Sequence, residues 1–434
     1  MGRFIYFLYN IFFIPVFVIG FRIASSFSEK VKLRRKEEKR CRKECYQKYK
    51  KKVKERRILF HCSSLGEWEQ AAPLVEIIKK NNPYLSVIVS FFSYSGYNYL
   101  KDNPDINGKI YLPLDSYKRA LLFFNAIKPD LWIISAYDIW PNHIMAAKKL
   151  NIPIVVISAT LAESSGRHKG LSKYLNRYIF KNINSIYSRS SDDTKRFKLI
   201  YPYPEKILTY GDTRTDRVYE KSINIKKDRD ITIFKNINHG DIVFIAGSTW
   251  PADEKVVLPG LISLLEKYSF FKVIIVPHEI DDTHISSIER MLLKNNIPCD
   301  RYTSLDKESG SEKRVVIVNA IGILAKLYKN THIAYIGGSF GKGVHNVLEP
   351  TVFGMPVLFG PNYINSQEAI SLKDLGVTFS VKNVHDFITE ADKLISDNTY
   401  RENCNAKALG YIRNNLGASG KIYQNLIKRF DFIQ

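Results

Sequence analysis

Residues 58–70 read ILFHCSSLGEWEQ: an apolar run, two serines, then a Gly-Glu pair opening a stretch of helical composition that continues to Lys80. A strand that turns directly into a helix is the repeating unit of a parallel α/β sheet. The same alternation continues downstream, with strand-like runs at 86–92 (SVIVSFF), 109–114 (KIYLPL), 131–136 (LWIISA), 152–159 (IPIVVISA) and 185–190 (SIYSRS). Helical composition falls between several of them, for example over 69–80 and 116–127. The near-continuous apolar runs predict strands buried on both faces.

A polar, Lys/Asp-rich stretch from Tyr219 to Asp230 interrupts the pattern and reads as a connection between domains. A second series follows at 242–248 (IVFIAGS), 272–277 (KVIIVP), 315–320 (VVIVNA), 333–339 (IAYIGGS) and 356–360 (PVLFG). At 434 residues the chain suits two such domains. The expected organisation is α/β: two doubly wound Rossmann-like domains, 58–216 and 241–434, facing a central cleft, joined by a linker at 217–240. The tail beyond about 386 reads as helices of the second domain.

Ahead of the first strand lie two unusual segments. Residues 4–21 carry no charge, close to the length that spans a bilayer. Asn10 and Pro15 weaken a straight spanning helix, so a helix lying in the interface is open as well, and either way the segment holds the chain at a membrane; a buried core helix is the lesser alternative. A cleaved signal peptide fits less well, because the n-region holds only Arg3 and a polybasic run follows. Segment 1–27 is therefore expected to be a membrane anchor and 28–57 a basic juxtamembrane segment. The net charge is +22, and residues 29–57 hold 16 Lys/Arg against 5 Glu, so half the excess sits there. Such a run suits anionic headgroups, and the Lys/Arg following the anchor put the rest of the chain on the cytoplasmic side. The five cysteines are scattered, and Cys41 and Cys45 lack a second pair to complete a zinc site.

Candidate chemistry lies at the strand ends, where ligands of doubly wound sheets bind. Glu67 stands where the field of a helix start favours a carboxylate, or where a base faces a substrate. SAYDIWPN (135–142) presents Asp138, with Trp140 and Pro141 as packing and turn residues. GDTRTD (211–216) presents Arg214, either to offset substrate charge or in an ordinary ion pair. In the second half, GSTWPADE (247–254) offers the hydroxyls of Ser248 and Thr249, and VPHEI (276–280) offers His278. The run YIGGSFGKGVHNVLEP (335–350) has neither the GxGxxG nor the GK[ST] pattern, but its glycines allow close backbone approach to a ligand. Glu349 there could accept both hydroxyls of a ribose, or simply favour a helix start.

In order, the motifs HCSSLGE, LPLDS, YDIWPN, SATLAESS, GDTRTD, GSTWPADE, VPHEI, GGSFGKGVHNVLEP and FGPNYINS resemble the Kdo transferases of the glycosyltransferase-B superfamily. That resemblance implies inverting transfer of 3-deoxy-D-manno-octulosonic acid (Kdo) from CMP-Kdo to a lipid A precursor, at the cytoplasmic face of the inner membrane. It implies Glu67 as general base, with Asp138 and Arg214 supporting the transition state. It implies CMP contacts at Pro277 and His278, at Ile321, Gly322 and Ile323, and at Asn346, Val347, Leu348 and Glu349. No metal or other cofactor is expected, CMP-Kdo being a co-substrate, and no nucleic acid. The chain departs from the common family pattern at Ala136, Arg214, His278 and Ile323. Two alternatives stand beside this reading: a related glycosyltransferase using a UDP-sugar, and a non-enzymatic basic protein that binds polyanions at a membrane.

Overall fold

The computed structural model describes residues 1–48, 55–100, 103–306 and 308–433. The chain forms two compact units, one of Met1–Arg217 with Asn415–Gln434 and one of Val218–Asn414. The first unit carries β1 (Arg57–Cys62), β2 (Ser86–Phe91), β3 (Gly108–Tyr111), β4 (Leu131–Ser135), β5 (Ile154–Ala159), β6 (Ser185–Ser188) and β7 (Ile207–Thr209). They pair in the order β3-β2-β1-β4-β5-β6-β7, parallel throughout. The second unit carries β8 (Ile242–Thr249), β9 (Phe271–Pro277), β10 (Cys299–Arg301), β11 (Val315–Ile317), β12 (Ile333–Ile336), β13 (Val357–Phe359) and β14 (Thr378–Ser380). Its order is β10-β11-β9-β8-β12-β13-β14, again parallel. Both are doubly wound sheets, as expected, with switch points between β1 and β4 and between β8 and β12.

Helices cover both faces of each sheet because the strands are apolar on both. In the first unit, Leu59, Trp132 and Ile134 pack into one core while Ile58, Phe60 and Ile133 pack into another. Three of the four edge strands (β7, β10 and β14) are only three residues long. Short edges limit pairing with other chains, and they offer too little periodicity to be read from sequence.

Two boundaries differ from the sequence expectation. The expected linker begins inside a helix, Thr213–Lys227, which crosses the junction between the units. Its first turns are held in place because Arg217 pairs with both Glu69 and Glu76, and Val218 is buried. The expected C-terminal domain also ends early. Ile422, Tyr423 and Leu426 form the apolar stripe of the helix Ala418–Arg429, and that stripe packs into the first unit's core beside Phe60 and Val75. Asp216 caps that helix by accepting from the amides of Gly417 (2.7 Å) and Ser419 (2.7 Å).

The N-terminal segment is one helix, Gly2–Phe27, long and apolar enough to cross a membrane, with mean hydropathy 2.2. One of its faces lies on the first unit, through Tyr6, Tyr9, Phe17 and Phe21. The opposite face exposes Phe4, Phe7, Phe12, Val16 and Phe27. A second helix, Glu29–Lys48, carries the basic residues. Its Arg34 is buried, donating to the carbonyl oxygens of Phe92 (2.6 Å) and Leu112 (3.0 Å), and so fastens the basic helix to the unit.

Candidate active site

The loops after β1 and β4 flank the first switch point, and each carries a predicted residue. Ser64 stands at the N-cap position of the helix Leu65–Asn81 without a side-chain cap bond, and Glu67 lies in the first turn. The Glu67 carboxylate reaches back to accept from the Ser63 amide, and Ser135 at the end of β4 donates to the Glu67 carbonyl oxygen (3.0 Å). Burial pushes the Glu67 carboxyl up to about 7; the charge of Asp138 adds to this, while His61 and the amides of Ser63 and Ser64 oppose it. The helix-start field alone favours the ionised form, but here desolvation outweighs it.

Asp138 sits beside Glu67 through a residue that the sequence reading passed over. His61 is fully buried on β1; its Nε2 faces Asp138 Oδ2 (3.0 Å) and its Nδ1 faces Ser90 Oγ on β2 (3.0 Å). An ionised carboxylate only accepts, so Nε2 carries the proton toward Asp138. Burial alone would raise the Asp138 carboxyl, but hydrogen bonding and charge from His61 hold it below the usual range. The loop turns sharply at Ala136 (φ 60°), and Pro141 then opens the next helix. Arg167, also passed over, donates to the Tyr137 carbonyl oxygen (2.9 Å) and lies within the electrostatic reach of Asp138.

Arg214 is engaged with Asp212, donating from Nε (3.0 Å) and Nη2 (2.8 Å), and Arg189 approaches the same carboxylate. Despite burial, the two guanidiniums hold the Asp212 carboxyl well below the usual range. Thr213 donates to the Gln70 carbonyl oxygen (2.5 Å), one turn beyond Glu67. The GDTRTD motif therefore clamps the helix that carries Glu67.

In the second unit, the loops after β8 and β12 meet at its switch point. Gly337 packs so tightly that a Cβ there would collide with the Ser248 carbonyl oxygen, while Ser248 itself takes φ 54°. Buried Asp253 ties these loops together, accepting from Trp250 N (2.9 Å), Gly338 N (2.9 Å) and the Tyr335 hydroxyl (2.8 Å). Thr249 spends its hydroxyl on Glu254 (2.9 Å). Trp250, His278 and His345 form a ring stack with centroid spacings of 4.3 and 5.1 Å, and Trp250 Nε1 donates to His345 Nε2 (3.0 Å). Pro277 ends β9 and leads into His278. The Asn346 amide donates to Glu349 (3.1 Å), while its oxygen accepts from the Leu348 amide. Val347 and Leu348 are buried, and Glu349 is half-buried. Ile321 is 86% exposed and Gly322 has φ 84°; with Ile323 they follow β11 and precede a short helix, Leu324–Leu327. Trp250, Asp253 and His345 all stand within motifs already singled out, so their presence was legible though their joint role was not.

A family model described as 3-deoxy-D-manno-octulosonic-acid transferase (kdotransferase) matches residues 37–217. The 3-deoxy-D-manno-octulosonic acid transferase of Chlamydophila psittaci is 30% identical over 318 residues, covering 72% of this chain and 71% of that protein. A bifunctional glycosyltransferase/methyltransferase of Fusobacterium nucleatum is 29% identical over 362 residues, covering 80% of this chain; the chain spans 54% of that relative's length. Among solved structures, a UDP-GlcNAc 2-epimerase from Neisseria meningitidis bound to UDP-GlcNAc superposes with TM-score 0.58 at 16% identity, covering 86% of this chain and all of that one. At that identity the likeness concerns the fold alone, which is of the glycosyltransferase-B kind.

Proposed function

The chain belongs to the 3-deoxy-D-manno-octulosonic acid (Kdo) transferase family, and from that premise we propose that it transfers Kdo from CMP-Kdo to a lipid A precursor, lipid IVA, in lipopolysaccharide biosynthesis. It is a glycosyltransferase, which sets aside the non-enzymatic reading. The observation that carries the proposal is Glu67: a half-buried carboxyl raised to about 7 beside the His61–Asp138 pair. A general base works best when its pKa lies near the working pH. In the proposed step Glu67 takes the proton of the acceptor hydroxyl as its oxygen bonds to the anomeric carbon. The bond from that carbon to the CMP phosphate breaks on the opposite face, so configuration inverts and CMP leaves.

His61 and Asp138 are assigned to orient and polarise the base, and Arg167, beside Tyr137 and Asp138, is assigned to a phosphate of the acceptor. The donor is assigned to the second unit, with Glu349 on ribose hydroxyls and the glycine-rich loop close to phosphate. His278 takes the place of the arginine common in the family, within the ring stack of Trp250 and His345. The step is assigned no metal. Because one face of the first helix is docked on the unit, the helix is proposed to lie in the bilayer interface, on the cytoplasmic side of the inner membrane.

Purified full-length protein given CMP-Kdo and lipid acceptor is expected to release CMP undiminished by EDTA. Glu67→Gln is expected to lower turnover at least a hundredfold with the fold intact; undiminished turnover would remove Glu67 as the base. CMP should outcompete UDP for the second unit, and the reverse preference would favour a UDP-sugar donor.

A further inference from the structure

The LPLDS motif has no part in the chemistry above, yet its aspartate is fully engaged. Asp115 is buried at 1% exposure, and its Oδ1 accepts from Asn142 N (3.1 Å), His143 N (3.3 Å) and His143 Nδ1 (2.9 Å). Those amides open the helix Pro141–Lys149, whose N-cap is Trp140, a residue with no side-chain acceptor. Asp115 thus supplies, from across the fold, the cap that this helix lacks in its own sequence. Its Oδ2 accepts from the hydroxyl of Tyr9 on the first helix (2.8 Å). Tyr6, one turn earlier on that helix, donates to Asn142 Oδ1 (2.5 Å). Phe17 packs on Trp140 at 5.6 Å, and Trp140 stacks on Phe92 at 5.2 Å. On the loop and helix that follow Asp138, these contacts reach Trp140, Asn142 and His143, two to five residues beyond it.

We propose that the apolar first helix is a positioning element of the active site: Tyr9 and Tyr6, acting through Asp115 and Asn142, hold the loop that carries Asp138. This rests on the reading of Asp138 and Glu67 given above. The arrangement joins membrane seating and catalysis in one element, since the outer face of the same helix is the apolar one exposed at Phe4, Phe12 and Val16. Loss of the Tyr9 hydroxyl leaves a buried carboxylate short of a donor, which loosens the cap and the loop before it.

The test uses full-length protein in lipid vesicles, with Tyr9→Phe and Asp115→Asn. Amide hydrogen exchange over residues 137–143 is expected to rise at least tenfold in both, while β1 and β4 keep their protection. The turnover number for CMP release is expected to fall about tenfold, with the KM for CMP-Kdo within twofold of wild type. The ascending limb of the pH–rate profile should move toward acid, because the Asp138 charge no longer raises the Glu67 carboxyl. Phe12→Ser, on the outer face, is the control and should leave exchange over 137–143 unchanged. Unchanged exchange in Tyr9→Phe and Asp115→Asn would overturn the proposal, as would raised exchange with wild-type turnover. The exchange measurement needs no turnover, so a failure of the transferase reading is seen separately, as wild-type protein that exchanges as described but releases no CMP.

Discussion

Glu67 carries the largest consequence at the scale of single residues. Its carboxyl is raised from an ordinary 4.5 to about 7 in the folded state. The folded protein therefore binds more protons than the unfolded chain between those values, and stability falls as pH rises through that window. Above about pH 7 the cost is fully present; below about pH 4.5 it is absent. Glu67→Gln should therefore be more stable than wild type at pH 8, by on the order of 2 kcal/mol, and nearly equal at pH 4.5. Urea denaturation at the two pH values reads this directly. Catalysis runs the other way: kcat/KM should climb with pH to a limb centred near 7 as the base ionises. Glu67 was legible in the sequence because a strand-to-helix turn is a local pattern. His61 was not, since one histidine inside an apolar run looks like any core residue until β2 and the 136–140 loop are folded around it.

Elements place these residues, and they were legible in proportion to how local their causes are. Eleven expected strands, at the runs quoted above, are present, each carried by its own apolar run. The three-residue edge strands escaped, because three residues show no period. The returning C-terminal helix escaped for a different reason. Its amphipathic stripe is visible in sequence, but nothing local says that it packs beside Phe60 and not on the unit that precedes it. Leu426→Ala should cost about 2–5 kcal/mol, and the loss should appear in the first unit's unfolding transition. In the second unit, Gly337→Ala must displace the Ser248 backbone, so its affinity for CMP should fall about tenfold at little cost to the sheet. Isothermal titration with CMP distinguishes a displaced loop from a lost fold.

For the molecule as a whole, the sequence conveyed two parallel sheets, an apolar N-terminal helix and a concentrated basic charge, because each is a property of composition over many residues. It left open whether the apolar segment spans a bilayer or lies along it. That choice depends on which face is already occupied, and the hydrogen bonds from Tyr6 and Tyr9 to the first unit are contacts over more than a hundred residues of sequence. An interfacial helix beside a basic one should bind anionic vesicles more strongly than neutral ones, and binding should weaken with salt. The most direct test of the central claim is the mass of the product formed by purified full-length protein from CMP-Kdo and lipid IVA. The account predicts an acceptor heavier by one or more whole Kdo residues, with one CMP released for each. An unchanged acceptor, or one modified instead from a UDP-sugar, would contradict it.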